Sequence, residues 1–162
     1  MAHEWHRGGY TITDDPSRLD VQAIHGYLTH SYRAHGIPLE IVRRSLEHSL
    51  NFGILQGAEL VGFGRVISDR ATFGYLGDVF VLEPHRIRGL SKWLMEVILA
   101  HPDLQGLRRW VLLTRDAHGL YRQFGFTPPA NPDRYLERWT PGIYAAAEGG
   151  TSSTDKRTDV RS

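Results

Sequence analysis

The run VFVLEPHRIRGLSKWLMEVIL, residues 79–99, constrains the fold more than any other stretch, because it begins as a strand and ends as a helix. The apolar run RRWVLLT follows at residues 108–114 and reads as a buried strand. Together they predict a β-α-β crossover, which makes at least part of the sheet parallel. The joint between strand and helix poses an electrostatic problem. Arg86, Arg88 and Lys92 crowd a helix mouth whose dipole is already positive, an arrangement that costs helix stability unless an anion arrives. Gly89 removes a side chain where a ligand would approach the backbone, and Ser91 leaves further room. The first helical turn adds N–H groups with no acceptor inside the helix, so a pyrophosphate suits the nest. The competing reading is a solvated loop whose arginines merely keep it soluble.

Other phosphate motifs do not account for this charge. No GxxxxGK[ST] occurs, and GFGRVI at residues 62–67 lies within a predicted hairpin and opens no helix. Nor is the chain basic overall: 19 Lys+Arg stand against 18 Asp+Glu, too even a balance for a general nucleic-acid surface, so anion recognition is expected to be local. The absence of cysteine excludes disulfides, thiolate metal sites and a cysteine nucleophile. His25 and His30 stand off a common helix face and no HExxH-type spacing occurs, so no metal is expected. MAHEWHRGGY carries no apolar signal core and no apolar run reaches membrane-spanning length, which leads to the expectation of a soluble cytoplasmic protein without membrane or nucleic-acid partners.

At 162 residues and 41% hydrophobic, the chain suits one domain. GYTIT reads as a short strand. A helix is expected after the cap candidates Ser17 and Asp20, with Val21, Ile24, Leu28 and Tyr32 in helical spacing until Gly36. Leu39, Val42, Leu46 and Leu50 mark a second helix. NFGIL and AELVGFGRVIS form a hairpin, ATFGYLGDVFVL a further strand, and the third helix runs from about Arg88 to Ala100, closed by Pro102. A short helix started by Asp116 and a last strand near RYLERW complete the pattern. The prediction is an α/β domain over residues 1–144, with a mixed, mostly antiparallel central sheet flanked by helices, followed by a small polar tail over 145–162 expected to be disordered.

Two stretches in this order resemble the GNAT superfamily of N-acetyltransferases. The family's acetyl-CoA motif is similar to Arg86-Ile87-Arg88-Gly89-Leu90-Ser91, with Val81 at the end of the preceding strand. Ile87 stands where glycine is frequent, and Ser91 where glycine or alanine is usual. The later motif resembles TRDAHGLYRQFGF, in which Ala117, Leu120, Tyr121, Gly125 and Phe126 match and Thr114 occupies the usual asparagine position. The resemblance covers roughly residues 9 to 140.

The resemblance implies an acetyl-CoA-dependent enzyme, without a metal, that acetylates an amine and is a monomer or homodimer. It implies that Val79, Phe80 and Val81 hold the pantetheine arm through backbone groups, that Arg86 to Lys92 and Thr114 contribute to the cofactor site, and that Tyr121 is the general acid. A phenol with pKa ~10 can protonate a thiolate whose thiol pKa is ~8.5. On residue type alone, Tyr121 beside Phe124 and Phe126 would be core. Gly74 and Gly77 suggest a bulge or a close backbone approach in the same strand, or simple relief of crowding. Asp78 is the candidate base, or a structural acceptor for loop amides. For the acceptor, Tyr32, Arg33 and His35 at the first helix end, with Tyr75, are the candidates, and Arg33 would suit a carboxylate. A small amine is the expected substrate; a protein N-terminus or lysine, and a catalytically silent acyl-CoA-binding module, are the competing readings.

Overall fold

The computed structural model, which describes residues 1–144, builds a six-stranded sheet whose strands lie in chain order. Strands β1 (Glu4–Arg7) and β2 (Tyr10–Thr13) form a hairpin around Gly8 and Gly9, and Gly8 takes the positive φ that such a two-residue turn requires. Helices α1 (Val21–Leu28) and α2 (Leu39–Glu47) intervene before β3 (Leu50–Gln56), β4 (Glu59–Ser68) and β5 (Phe73–Val81) continue the antiparallel order. Helix α3 (Leu90–Ala100) then returns the chain to β6 (Arg109–Leu112), which is parallel to β5, and α4 (His118–Arg122) follows. This is the expected mixed, mostly antiparallel α/β domain. The tail expected at 145–162 lies outside the described residues. No helix among the described residues is long and apolar enough to cross a membrane.

Burial explains the layers. The interior of β4, from Leu60 to Gly64, is covered on both faces, as a central strand with a continuous apolar run should be. On one face α3 sets Leu94, Met95 and Ile98 against Phe52, Ile54 and Leu76. On the other, Ile24 and Leu28 of α1 and Val42 of α2 cover Leu55, Phe63 and Phe80.

Five departures from the sequence pattern have physical causes. The pattern missed β1, a short polar strand held to the sheet by a buried cluster described below. Helix α1 stops at Leu28 rather than near Gly36. The Ser31 hydroxyl donates to the Leu28 carbonyl and accepts the Ala34 N–H, a local turn that competes with the helix. The strand expected at RYLERW does not join the sheet; only a single turn over Pro132–Arg134 forms there, in a segment punctuated by Pro128, Pro129, Pro132 and Pro141. Ahead of helix α4 the Thr114 hydroxyl accepts the Ala117 N–H, and no side chain caps the helix, so Asp116 does not start it. Strand β6 is half-buried rather than buried, as befits the sheet edge.

Candidate active site

The joint between β5 and α3 is an anion nest. Gly89 caps α3 in a left-handed conformation, φ 73° and ψ 14°, and no side chain caps the helix. The first backbone bond of the helix runs from the Trp93 N–H to the Gly89 carbonyl, which leaves the N–H groups of Leu90, Ser91 and Lys92 without a backbone acceptor. Ile87 also lies at positive φ, 62°, so two left-handed residues curl the backbone around the helix mouth. A Cβ added at Gly89 would meet nothing within 4 Å. Glycine is needed there for its φ, and the space in front of it is open. A cavity of about 290 Å³ is lined by Val81, Arg86, Ile87, Gly89, Leu90, Ser91 and Lys92, with Leu120 and Gln123 of the α4 region opposite. Within it the Arg86 Nε donates to the Val81 carbonyl at 2.8 Å, which braces the loop against the strand end. Arg88 does not line this cavity.

From the nest a cleft follows β5. Strand β5 pairs with β6 only from Phe73 to Leu76, and β6 ends at Leu112. Gly77 to Val81 therefore present an edge with no β6 partner. A bulge lies in the same stretch: between the pairs Phe63–Phe80 and Arg65–Gly77, Gly64 faces both Asp78 and Val79. Asp78 carries the bulge at φ 56°, a conformation that aspartate tolerates better than most residues. Of the two glycines, Gly77 borders this bulge, whereas Gly74 makes room for Trp110, whose ring would lie 2.9 Å from an added Cβ.

The other end of the cleft opens into a cavity of about 520 Å³, ample for a small molecule. Asp78 and Val79 line it from β5, Thr114 and Tyr121 from the β6–α4 side, and Tyr32 and Arg33 from the α1–α2 loop. The Tyr121 ring packs in the core edge-on to Phe126, so the core reading holds for the ring. Its hydroxyl forms no hydrogen bond among the described residues. Burial pushes the Tyr121 phenol above its ordinary pKa, against the opposing field of Arg33 and with a further upward push from Tyr32. Asp78 is not bonded to loop amides. Its Oδ2 accepts from the Arg65 Nε at 2.7 Å, and Arg65 is braced in turn by the Ser49 hydroxyl. Arg33 is fixed by a bond from its Nε to the Tyr32 hydroxyl and another from Nη2 to the Leu113 carbonyl.

Four of the candidates lie elsewhere. His35 is exposed and Tyr75 half-buried in mid-sheet, and neither lines a cavity; Arg88 is exposed outside the nest. The Phe80 side chain stacks on Tyr27 at 4.0 Å on the far face, so only its backbone reaches the cleft edge. Conversely, Arg115 and Asp116 line the larger cavity, and no binding motif in the sequence marks them. Their signal was positional: they follow Thr114 in the loop that opens where β6 leaves β5.

Away from the cleft, His3, Asp14 and His101 gather three ligand-type atoms within 4.8 Å of one another. Asp14 Oδ2 takes bonds from His101 Nε2 at 2.7 Å and His3 Nδ1 at 2.9 Å, and Oδ1 accepts the His3 backbone N–H. The Asp103 N–H donates to His101 Nδ1, so the proton of the neutral ring sits on Nε2, facing Asp14. The cluster is a hydrogen-bonded clamp.

Comparison with known proteins agrees with the geometry. The model of the acetyltransferase (GNAT) family matches residues 10–126. A Gibberella zeae protein provisionally named acetyltransferase FG08082 is 32% identical over 140 residues, spanning 72% of this chain and 78% of that one. A crystal structure from Xanthomonas campestris pv. campestris, provisionally assigned as a GNAT-family acetyltransferase, superposes with a TM-score of 0.84 at 52% identity, covering 86% of this chain and 99% of the other. The fold is also shared with a Clostridium acetobutylicum acetyltransferase crystallised with acetyl-CoA, at a TM-score of 0.58 and 12% identity over 86% of this chain and 96% of that one. A nest, a splayed pair of parallel strands and a matching family model over most of the chain lead to one assignment: this protein belongs to the GNAT family of acetyltransferases.

Proposed function

We propose that the protein transfers an acetyl group from acetyl-CoA to the amine of a small molecule, with Tyr121 giving a proton to the departing sulfur. The observation that best supports this reading is the free edge of β5, which runs from an anion nest at one end to an unbonded phenol at the other. The residues fit the donor. The unsatisfied N–H groups of Leu90, Ser91 and Lys92, with the Lys92 and Arg86 cations, suit its pyrophosphate. The edge Val79–Val81 suits an extended amide-bearing arm, in the manner of an added strand. Acetyl-CoA supplies an activated acyl carbon: the amine nitrogen bonds to that carbon while the carbon–sulfur bond breaks.

Two protons must then be placed. A phenol raised above ~10 stays protonated at neutral pH and so remains available as a donor. Passing its proton to a thiolate of thiol pKa ~8.5 is uphill by at least about 2 kcal/mol, offset by cleavage of the thioester and by the proton the amine releases. Thr114 fixes the turn ahead of α4 through the Ala117 N–H, and Tyr121 follows in that helix. The proton lost by the amine needs an acceptor in the same cavity. Asp78 is the carboxylate on β5, with Oδ2 on Arg65 and Oδ1 unbonded among the described residues. It serves directly or through a water.

The test is CoA release over a panel of small amines. Tyr121→Phe should lower kcat by about 100-fold or more while the calorimetric affinity for acetyl-CoA stays within about twofold. The raised phenol also predicts no alkaline fall in the wild-type kcat below pH ~10. Firm acetyl-CoA binding without release on any amine would replace the enzyme reading with that of an acyl-CoA-binding module.

A further inference from the structure

The larger cavity holds more cationic charge than its own carboxylates engage. Asp78 is spoken for by Arg65. Arg33 and Arg115 have no carboxylate within 4.0 Å among the described residues, yet both converge on one ring: the Arg115 guanidinium carbon lies 4.0 Å from the Tyr32 centroid and that of Arg33 lies 5.4 Å from it. Asp116 also lines the cavity and pairs with neither arginine. His30 is tied through Nδ1 to the Gly26 carbonyl. Two guanidinium groups against one ring repel each other, and Tyr32 offsets only part of that cost through its π face. Arg33 is held rigidly by Tyr32 and by the Leu113 carbonyl, with Nη1 uncommitted. Arg115 makes no hydrogen bond among the described residues. One arginine fixed and one free, flanking an aromatic platform at the cavity that holds Tyr121, is an arrangement suited to clamping an oxyanion.

We infer that the acceptor amine also carries an oxyanion, a carboxylate or a phosphate, and that Arg33 and Arg115 hold it against Tyr32. The inference rests on the acetyltransferase reading above and names the class of its substrate. It differs from the nest at α3, which lines a separate cavity and suits the donor's pyrophosphate. With the oxyanion at Tyr32, the amine end of the molecule is left to face Asp78, Val79 and Tyr121. An amine of the same shape without the oxyanion would leave the Arg33 Nη1 and the Arg115 guanidinium unengaged, so the preference is set by charge and not by size.

The experiment compares two matched pairs: L-phenylalanine with phenethylamine, and glucosamine 6-phosphate with glucosamine. Expected is a kcat/KM at least about tenfold higher for the anionic member of one pair, since a charge-assisted bond is involved. Which pair responds separates carboxylate from phosphate. Arg115→Gln, a change at an exposed loop residue, should reduce that preference at least about fivefold, and Arg33→Gln should do the same. Calorimetry of the same four compounds in the presence of CoA reads the site without turnover. If none is acetylated, the reaction proposed above has failed for these amines, and the binding preference still decides the charge clamp. Equal kcat/KM and equal affinity within each pair, or a preference that survives Arg115→Gln and Arg33→Gln together, would overturn the inference.

Discussion

Ile87 shows what a single residue concedes to the site. It is a β-branched residue at φ 62°, and its side chain is fully exposed, so no packing compensates the strain. The backbone there must turn left-handed for the N–H groups of the next turn to face outward. The family's frequent glycine at this position meets that demand without strain, and the isoleucine does not. Strain of this kind costs of order 1–3 kcal/mol, and the extra chain entropy of glycine returns roughly 0.5–1 kcal/mol of it. Ile87→Gly should therefore stabilise the protein by about 1 kcal/mol, a rise in Tm of about 2–4 °C, measurable by calorimetry. A lower Tm would show that the loop is not strained.

At the scale of elements, the proposed donor site sets stability against binding in α3. Lys92 is the third residue of the helix, where an acidic side chain complements the dipole and a cation opposes it. Lys92→Glu should raise thermal stability by about 0.3–1 kcal/mol and weaken acetyl-CoA binding by about tenfold or more. Opposite signs in one variant distinguish a ligand nest from a solubilising loop, for which affinity would not change. The other end of α3 is tied by Asp14 to β1. Burial alone would raise the Asp14 carboxyl, but the His3 backbone N–H and the His101 and His3 side chains together hold it below its ordinary value of 3.8. A depressed folded-state pKa contributes stability that is present above the unfolded value and lost as pH falls through the folded one. Asp14→Asn should cost about 1–3 kcal/mol at neutral pH and flatten the acid limb of a pH–stability curve below pH ~4. An unchanged acid limb would mean the clamp contributes nothing.

For the molecule as a whole, the local and near-local signals were legible in the sequence and the long-range ones were not. HRIRGLSK and LYRQFGF pointed to the two ends of the cleft because a strand-to-helix joint and a helix-borne tyrosine are local features. The ion pair that occupies Asp78 joins β4 to β5 through a bulge, and periodicity does not reveal which residue a bulge re-aims. The His3–Asp14–His101 clamp spans 87 residues between Asp14 and His101, and no spacing rule reaches that far. The Tyr32–Arg115 contact joins two loops, whose conformations depend on both neighbours.

The distance between the nest and Tyr121 is likewise a property of the whole sheet. The nest hangs from β5, Tyr121 hangs from β6 through α4, and the four pairs from Phe73–Arg109 to Leu76–Leu112 are the backbone ladder that sets them against each other. One of those pairs is Gly74–Trp110, where a single Cβ would meet the indole at 2.9 Å and Leu107 at 3.1 Å. Gly74→Ala should wedge β6 away from β5, at a stability cost of about 1–3 kcal/mol for overpacking. The nest would move with β5 and keep its shape, so acetyl-CoA affinity should change less than about threefold, while kcat falls by about tenfold or more as Tyr121 is displaced. Gly9→Ala, at a glycine with open space around it and no positive φ, serves as the control and should shift stability by less than about 0.5 kcal/mol. If Gly74→Ala lowered affinity and kcat by the same factor, the donor site and the proton donor would have moved together, and the β5–β6 register would not be what separates them.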